Sequence, residues 1–600
     1  MTALPVPPAT AARTAPARTD RLRPVRSLVG VVPVAVGGWM LALYLLTFLV
    51  VRQHYREYPP HYDSIGLFAD LFQLLNWVPI YGVSFLLPHA FSTGLSWLQP
   101  AYALALSWAP IKSPEALVSL NFVLLLAAQA AIVTYGRTFG WGRLRQVVAA
   151  TLPVVPGALY AWDGGIQDLR RDVQLVMLAV AILFLSLAYV ASPGWRRGVA
   201  LGILVGLAQW SRDNAASVIL IVALPAVVLA VNRAGRSGGI GALLRLGAVP
   251  IVVCTAIVVP YYAVTLPGTI GRYTVTVWGV GEGRVESLLA FWNMPFNVLL
   301  GGDSRLSGRV RVALVTAALL AAAVATVDVL RRRRVVHVER RWLHEPGYAL
   351  LLASGAWVVA AVFFYNTVVL GYGARWHGVP FLPIAVGLVA LMVGLTGAVR
   401  LDPEADPWLG PLVVAVGCAV LLLSAPLRMV LNEPKAEGVA GINALRAATA
   451  EIGARAGGRP VAFLAYDTLG RYHFRFYAAL DDVPNVIEFE FVAKAYGEII
   501  DLDQPVRPGD DPRELQGRLD TTLRRWADFA LVYTDTARYA DPREPLWPYN
   551  VGRPVVDGLL ADPTWKPVAR FTLRERELVL LENTTERPAP EQQAAPRSAP

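Results

Sequence analysis

The sequence predicts a polytopic α-helical membrane protein of about eleven transmembrane helices, with interfacial helices in its first outer loop and a C-terminal extracytoplasmic α/β domain. Three observations predict it. Of the 600 residues, 55% are hydrophobic and only 16% charged, with a mean hydropathy of +0.46, whereas ordinary soluble domains carry about a quarter charged residues. Charge-free runs of the roughly 17–25 residues that cross a bilayer recur as far as about residue 430. Beyond residue 432 the composition turns to that of a soluble domain.

Taken in order, residues 1–26 are rich in Pro, Ala, Arg and Thr and are expected to be a disordered cytoplasmic N-terminus. The transmembrane domain follows over residues 27–431. Leu28–Val51 is too long for a cleavable signal segment and lacks a small-residue cleavage pattern, so it is a retained helix. The further expected spans are Ala116–Val133, Gln146–Trp162, Val173–Val190, Gly198–Trp210, Asn214–Val231, Leu246–Thr265, Val312–Leu330, Tyr348–Leu370, Val379–Val399 and Pro407–Leu427.

Arginine placement orients them. Arg21, Arg23 and Arg26 precede the first span; Arg137, Arg143 and Arg145 follow the second; Arg196 and Arg197 the fourth; Arg233, Arg236 and Arg245 the sixth; Arg331–Arg334 the eighth. With one crossing per span these all share a side, and the positive-inside rule makes that side cytoplasmic. The loop after the tenth span, where Arg400 faces Asp402, Glu404 and Asp406, is the weak vote. The protein is therefore expected in a bacterial-type cytoplasmic (inner) membrane with its C-terminal domain outside.

The stretch Leu71–Ile111 holds no Asp, Glu, Lys or Arg but is broken by Pro79, Gly82, Pro88, Gly94, Pro100 and Pro110. Short helices in the outer interface fit it, with Trp77, Tyr81, Trp97, Tyr102 and Trp108 at headgroup depth; a pair of extra spans would preserve the topology equally. In the C-terminal domain, residues 432–584, Val461–Tyr466, Phe529–Tyr533, Lys566–Thr572 and Glu577–Leu581 read as strands. Ala436–Ala456 and Pro512–Ala527 read as helices. Residues 585–600 form a Pro/Ala/Gln tail expected to be disordered.

The net charge of +10 does not indicate a nucleic-acid partner, because the arginines sit between apolar runs where cytoplasmic loops belong. Cys254 and Cys418 both fall in apolar runs, which excludes a disulfide framework and a cysteine metal site.

In this topology five segments meet on the outer face. The first contains His61, Tyr62, Asp63 and Asp70; the second runs from Trp162 through Asp163, Asp168, Arg170 and Arg171 to Asp172. The third is the turn with Arg212 and Asp213, the fourth the loop from Pro267 to Arg309, and the fifth carries Arg375, Trp376 and His377. Charges held tightly against span ends cost desolvation energy unless paired or set in a wet cavity. A carboxylate can act as general base on an acceptor hydroxyl. Arginine gives a bidentate, permanent positive grip on phosphate. Acid, arginines and aromatics together suit transfer of a group from a lipid phosphate. Each group also has a plainer reading: Asp63 as a helix N-cap, Arg170 and Arg171 as headgroup anchors paired at the surface with Asp168 and Asp172, Arg212–Asp213 as a hairpin ion pair, and His377 as an interfacial histidine.

Tyr62-Asp63 after the first span, and Arg375-Trp-His-Gly-Val-Pro380-Phe-Leu-Pro383 opening a late one, resemble elements of the GT-C superfamily of integral-membrane glycosyltransferases. The likeness is to its protein O-mannosyltransferase and aminoarabinose-transferase members, and in layout it covers residues 28–430. It implies a polyprenyl-phosphate-linked sugar donor, a glycan, lipid or protein acceptor, and an inverting transfer outside the cytoplasm. It further implies Asp63 as the acceptor-activating acid, Asp163 or Asp168 as a second acid, and Arg375 with Arg212 on the lipid phosphate. Ser64 follows Asp63 where the family commonly has a second acid, which weakens a metal-bridging role; the carboxylates permit a divalent cation, but no ligand spacing demands one. No Trp-Trp-Asp triplet of the oligosaccharyltransferase type is present. Two competing functions remain: a transporter or flippase, against which stand nearly charge-free span centres and the lack of repeated halves, and a surface-polysaccharide polymerase or ligase using similar donors.

Overall fold

The structure is a computed structural model. It describes residues 45, 48–49, 51–53, 55–56, 58–60, 62–84, 86, 96–109, 112–154, 165–166, 168–212, 215–237, 239–279, 337–338, 342, 344–364, 382–400, 436–459, 461–464, 471–483, 521, 523–524, 527–535, 548–573 and 576–585.

The membrane part contains helices α1 (Tyr62–Tyr81), α2 (Leu98–Leu106), α3 (Pro114–Thr138), α4 (Arg143–Thr151), α5 (Arg171–Ala191), α6 (Trp195–Ser211), α7 (Ala215–Ser237), α8 (Gly239–Gly279), α9 (Pro346–Phe364) and α10 (Leu382–Leu395). Among the described residues, four segments are long and apolar enough to cross a membrane: Pro114–Thr138, Arg171–Ala191, Ala215–Arg236 and Gly239–Thr265. They coincide with the second, fourth, sixth and seventh expected spans. The fifth, ninth and tenth appear as the shorter apolar helices α6, α9 and α10. The third begins as α4 and a 3-10 turn over Leu152–Val154; the rest of it, all but a few residues of the first span, and the eighth and eleventh lie outside the described residues, as do residues 1–26, Cys418 and the tail beyond 585.

Helix α5 is the axle of the bundle. Every side chain from Asp172 to Val190 is buried, as befits a helix hydrophobic on all sides, and α3, α6, α7 and α10 pack around it. Helix α8 is the opposite case: Ile251, Val252, Val259 and Val264 are exposed, an apolar face that fits lipid. Its 41 residues make it about 60 Å long, roughly twice the hydrocarbon thickness.

The two ends of the bundle differ chemically. At one end, Arg233 donates to the α5 carbonyls of Val190 and Ala191 and Arg197 to Ser192, so cations meet the negative end of the α5 dipole. Arg145 bonds the Tyr348 hydroxyl at 2.6 Å at this same end. Strand β1 (His337–Val338) pairs antiparallel with β2 (Val399–Arg400), His337 opposite Arg400. Arg400 therefore lies beside the segment that follows the Arg331–Arg334 run.

After the bundle come α11 (Ala436–Ala456), β3 (Val461–Phe463), α12 (Arg471–Leu480), β4 (Phe529–Tyr533), α13 (Pro548–Ala561), β5 (Trp565–Leu573) and β6 (Arg576–Asn583). The four strands form one sheet in the order β3-β4-β6-β5, parallel between β3 and β4 and antiparallel elsewhere. The inner strand β4, Phe-Ala-Leu-Val-Tyr, is buried throughout, so its continuous apolar run reflects cover on both faces. Pro567 is tolerated because β5 is an edge strand, irregular between Pro567 and Ala569. Most of the helix expected over Pro512–Ala527 lies outside the described residues.

Candidate active site at the mixed-charge end

At the opposite end from Arg145, Arg197 and Arg233, the loop before α5 is held by amides from two helices. Asn121 of α3, fully buried, donates to the carbonyls of Ile166 at 2.9 Å and Asp168 at 2.7 Å. Gln99 of α2 donates to the carbonyl of Leu169 and lies 3.4 Å from Gln174 Oε1 of α5. A buried backbone carbonyl without a partner costs about 1–3 kcal/mol, so these amides stabilise an irregular turn at bundle depth and fix where its side chains start.

That turn presents Asp168 and Arg170, 2% and 6% exposed, with Arg170 Nε 3.7 Å from Asp168 Oδ2. Asp172, buried in the first turn of α5, receives the guanidinium of Arg212 from the residue that ends α6. The first turn of a helix favours a carboxylate through its dipole, which offsets part of the cost of burying Asp172. The end of α6 is held in turn by Ser96 and the Trp97 amide, which both donate to the Trp210 carbonyl at 2.9 and 3.0 Å, one of the orphan acceptors of a helix C-terminus. With Arg171, three arginines against two carboxylates leave the cluster with one net positive charge.

Around it stand residues of three further elements. Tyr55, from the chain just past the first span, packs edge-on against Phe68 of α1 with ring centroids 5.6 Å apart. Burial, and then the carboxylates of Asp168 and Glu115 and the phenol of Tyr477, hold the Tyr55 hydroxyl well above its ordinary pKa. The phenol is therefore neutral at working pH, able to donate a hydrogen bond. Helix α3 starts here with Ser113 as its cap, accepting from the Ala116 amide at 3.2 Å, and Glu115 in the first turn. Lys112 just before it feels Asp482 and Asp481 at the end of α12, although burial outweighs them and lowers its pKa.

Asp168, Arg170 and Arg212 are thus gathered in one cluster, and Tyr62 and Asp63 form the first turn of α1, five residues from the Phe68 that touches Tyr55. His61, Asp163, Arg375 and His377 lie outside the described residues. One plainer reading is corrected: Asp168, Arg170 and Asp172 are buried, not surface pairs. Arg212 pairs with Asp172, joining α5 to α6, while Asp213 lies outside the described residues. In the first loop, residues 71–81 are the second half of a helix that begins at Tyr62, earlier than expected, and stops before Gly82, whose φ of +77° suits glycine. Sequence reasoning missed Tyr55, Gln99, Asn121 and Gln174. The signal was there, since amides inside otherwise apolar runs need a partner. Among the described residues, no three His, Cys, Asp or Glu side chains gather as a metal site.

No family model and no curated protein matches the sequence. Among solved structures the chain is similar to ArnT from Cupriavidus metallidurans bound to undecaprenyl phosphate, at 14% identity and a TM-score of 0.48, over 91% of this chain and 98% of that one. The apo state of the same ArnT matches at 14% identity and 0.48, over 92% and 99%. The Archaeoglobus fulgidus oligosaccharyltransferase tethered with an acceptor peptide is similar at 12% identity and a TM-score of 0.38, over 91% of this chain and 74% of that one.

Proposed function

We propose that this chain is an integral-membrane glycosyltransferase that moves a sugar from a polyprenyl-phosphate-linked donor to an acceptor hydroxyl. The observation that carries this reading is the cluster of the buried Asp168, Arg170 and Asp172 with the half-buried Arg212, at the end of the bundle where α1 with Asp63 in its first turn also lies. With Arg171 beside them the arginines outnumber the carboxylates by one, which next to apolar helices suits a phosphate carried on a lipid. The arginine-rich opposite end would face the cytoplasm, which puts the reaction outside.

In this mechanism Asp63 takes the proton from the acceptor hydroxyl as its oxygen attacks the anomeric carbon. The bond from that carbon to the phosphate oxygen breaks, its electron pair leaving with the lipid phosphate, and the anomeric centre inverts. Arg375 grips the phosphate and stabilises the charge that develops on it. Asp163, His61, Tyr62 and His377 line the sugar and acceptor positions. Asp168 and Arg212 anchor the charged wall, Arg212 already bound to Asp172. The acceptor is a glycan, a lipid or a protein.

The test is transfer of radiolabelled sugar from a polyprenyl-phosphate donor by the purified full chain in lipid nanodiscs. Asp63→Asn is expected to lower turnover by about 10²–10⁴-fold, the usual contribution of a general base, with unchanged thermal unfolding. A normally folded variant with full transfer removes Asp63 from the mechanism. Transport of the labelled donor across vesicles without any transfer overturns the whole reading.

A further inference from the structure

The C-terminal unit is more than a cover over the bundle. Its helix α12 lies along α1, the helix that opens with Tyr62-Asp63. Phe476 of α12 sits between Phe68 and Phe72, with ring centroids 6.0 and 5.8 Å away. Arg475 binds the Asp70 carboxylate and reaches Gln73 Oε1 at 3.3 Å. Asn76 donates to the Ala479 carbonyl at 2.8 Å. The contacts run from Phe68 to Asn76, about two turns of α1, and mix apolar, ionic and amide bonds, so they fix both the axial position and the rotation of the helix. Phe68 and Phe476 also touch Tyr55 and Tyr477 respectively, which ties the same aromatic core to the wall that carries Asp168.

We propose that α12 is the positioning element for the first-loop acid: by clamping α1 through Arg475 and Phe476, it sets where Asp63 stands relative to the Asp168–Arg170–Asp172–Arg212 cluster. This rests on the glycosyl-transfer reading above. Arg475 and Phe476 act through α1 and are positioning residues. Their removal leaves the chemistry of Asp63 intact but shifts its approach to the acceptor, and a displacement of about 1 Å costs up to roughly 10²-fold in rate.

The experiment compares the full chain with Arg475→Asp, Asp70→Arg, the double charge swap of both, and Phe476→Leu, all in nanodiscs. Two quantities are read: kcat and donor KM for sugar transfer, and hydrogen exchange of the backbone amides of residues 62–69. The single charge variants and Phe476→Leu are expected to lower kcat about 10-fold or more, with donor KM within about twofold, and to speed exchange in residues 62–69. The charge swap restores both. Unchanged exchange in the single variants, or a loss of kcat that the swap does not rescue, overturns the proposal. If the intact chain transfers no sugar, the functional reading fails on its own, and the exchange data still decide whether α12 holds α1.

Discussion

Asp172 and Arg212 stand 40 positions apart in sequence, yet Arg212 offsets the cost of burying Asp172. Asp172 is 7% exposed, and a carboxylate at that depth is tolerated only when paired. Arg212→Ala is expected to destabilise the chain by roughly 3 kcal/mol, since stripping one partner leaves an uncompensated buried charge. Adding Asp172→Asn to it should recover much of that loss, which thermal unfolding in detergent can measure as a coupling. If the two single changes prove additive, the pair is not an energetic unit. Residue types and spacing made the acids and arginines of this end visible from sequence. Which acid meets which arginine was not visible: Arg212 has Asp213 as its chain neighbour, but the partner depends on how α5 and α6 end side by side.

Among the helices, close approach is decided by glycine. On α6, Gly198, Gly202 and Gly206 recur every fourth residue, so they fall on one stripe against α8. A Cβ at Gly202 would come within 2.7 Å of the Pro250 carbonyl oxygen, a backbone atom that cannot swing away. In the same way Gly355 of α9 and Gly387 of α10 each face the other's carbonyl. Small residues that let backbones meet are the main packing device where lipid is as apolar as the side chains. Gly202→Val should therefore cost about 1–3 kcal/mol by overpacking, whereas Gly194→Val, with nothing within 4 Å of its would-be Cβ, should unfold at the wild-type temperature. Equal melting of the two would show that α6 and α8 do not pack as described. Helix α6 shows why length alone reads spans poorly: at 17 residues it is short, yet α5, α7 and α8 surround it.

For the whole molecule, the contacts separate two chemically distinct ends without reference to a membrane. Arg145, Arg197 and Arg233 work at one of them; Asp168, Arg212, α1 and α12 meet at the other. On the proposed reading, the positive-inside rule puts the first of these ends in the cytoplasm. In a chain with Cys254 and Cys418 replaced by serine, Glu437→Cys should react with a membrane-impermeant maleimide on intact cells. Gly194→Cys should react only after permeabilisation. The reverse pattern would invert the orientation, and labelling of both from outside would dissolve the two-ended arrangement.

The amino-acid sequence alone determined the class of this protein, the approximate positions of α3 and of α5 to α10, the strands of its C-terminal unit and the residue types available for chemistry. These are local properties: run length, period and charge placement depend on neighbours a few residues away. Tertiary structure alone decided that α5 is wrapped on every side, that buried amides hold the turn bearing Asp168, and that α12 lies along the helix begun by Asp63. Those contacts join residues tens to hundreds of positions apart, and their free energy comes from burial and pairing that exist only once the chain is assembled.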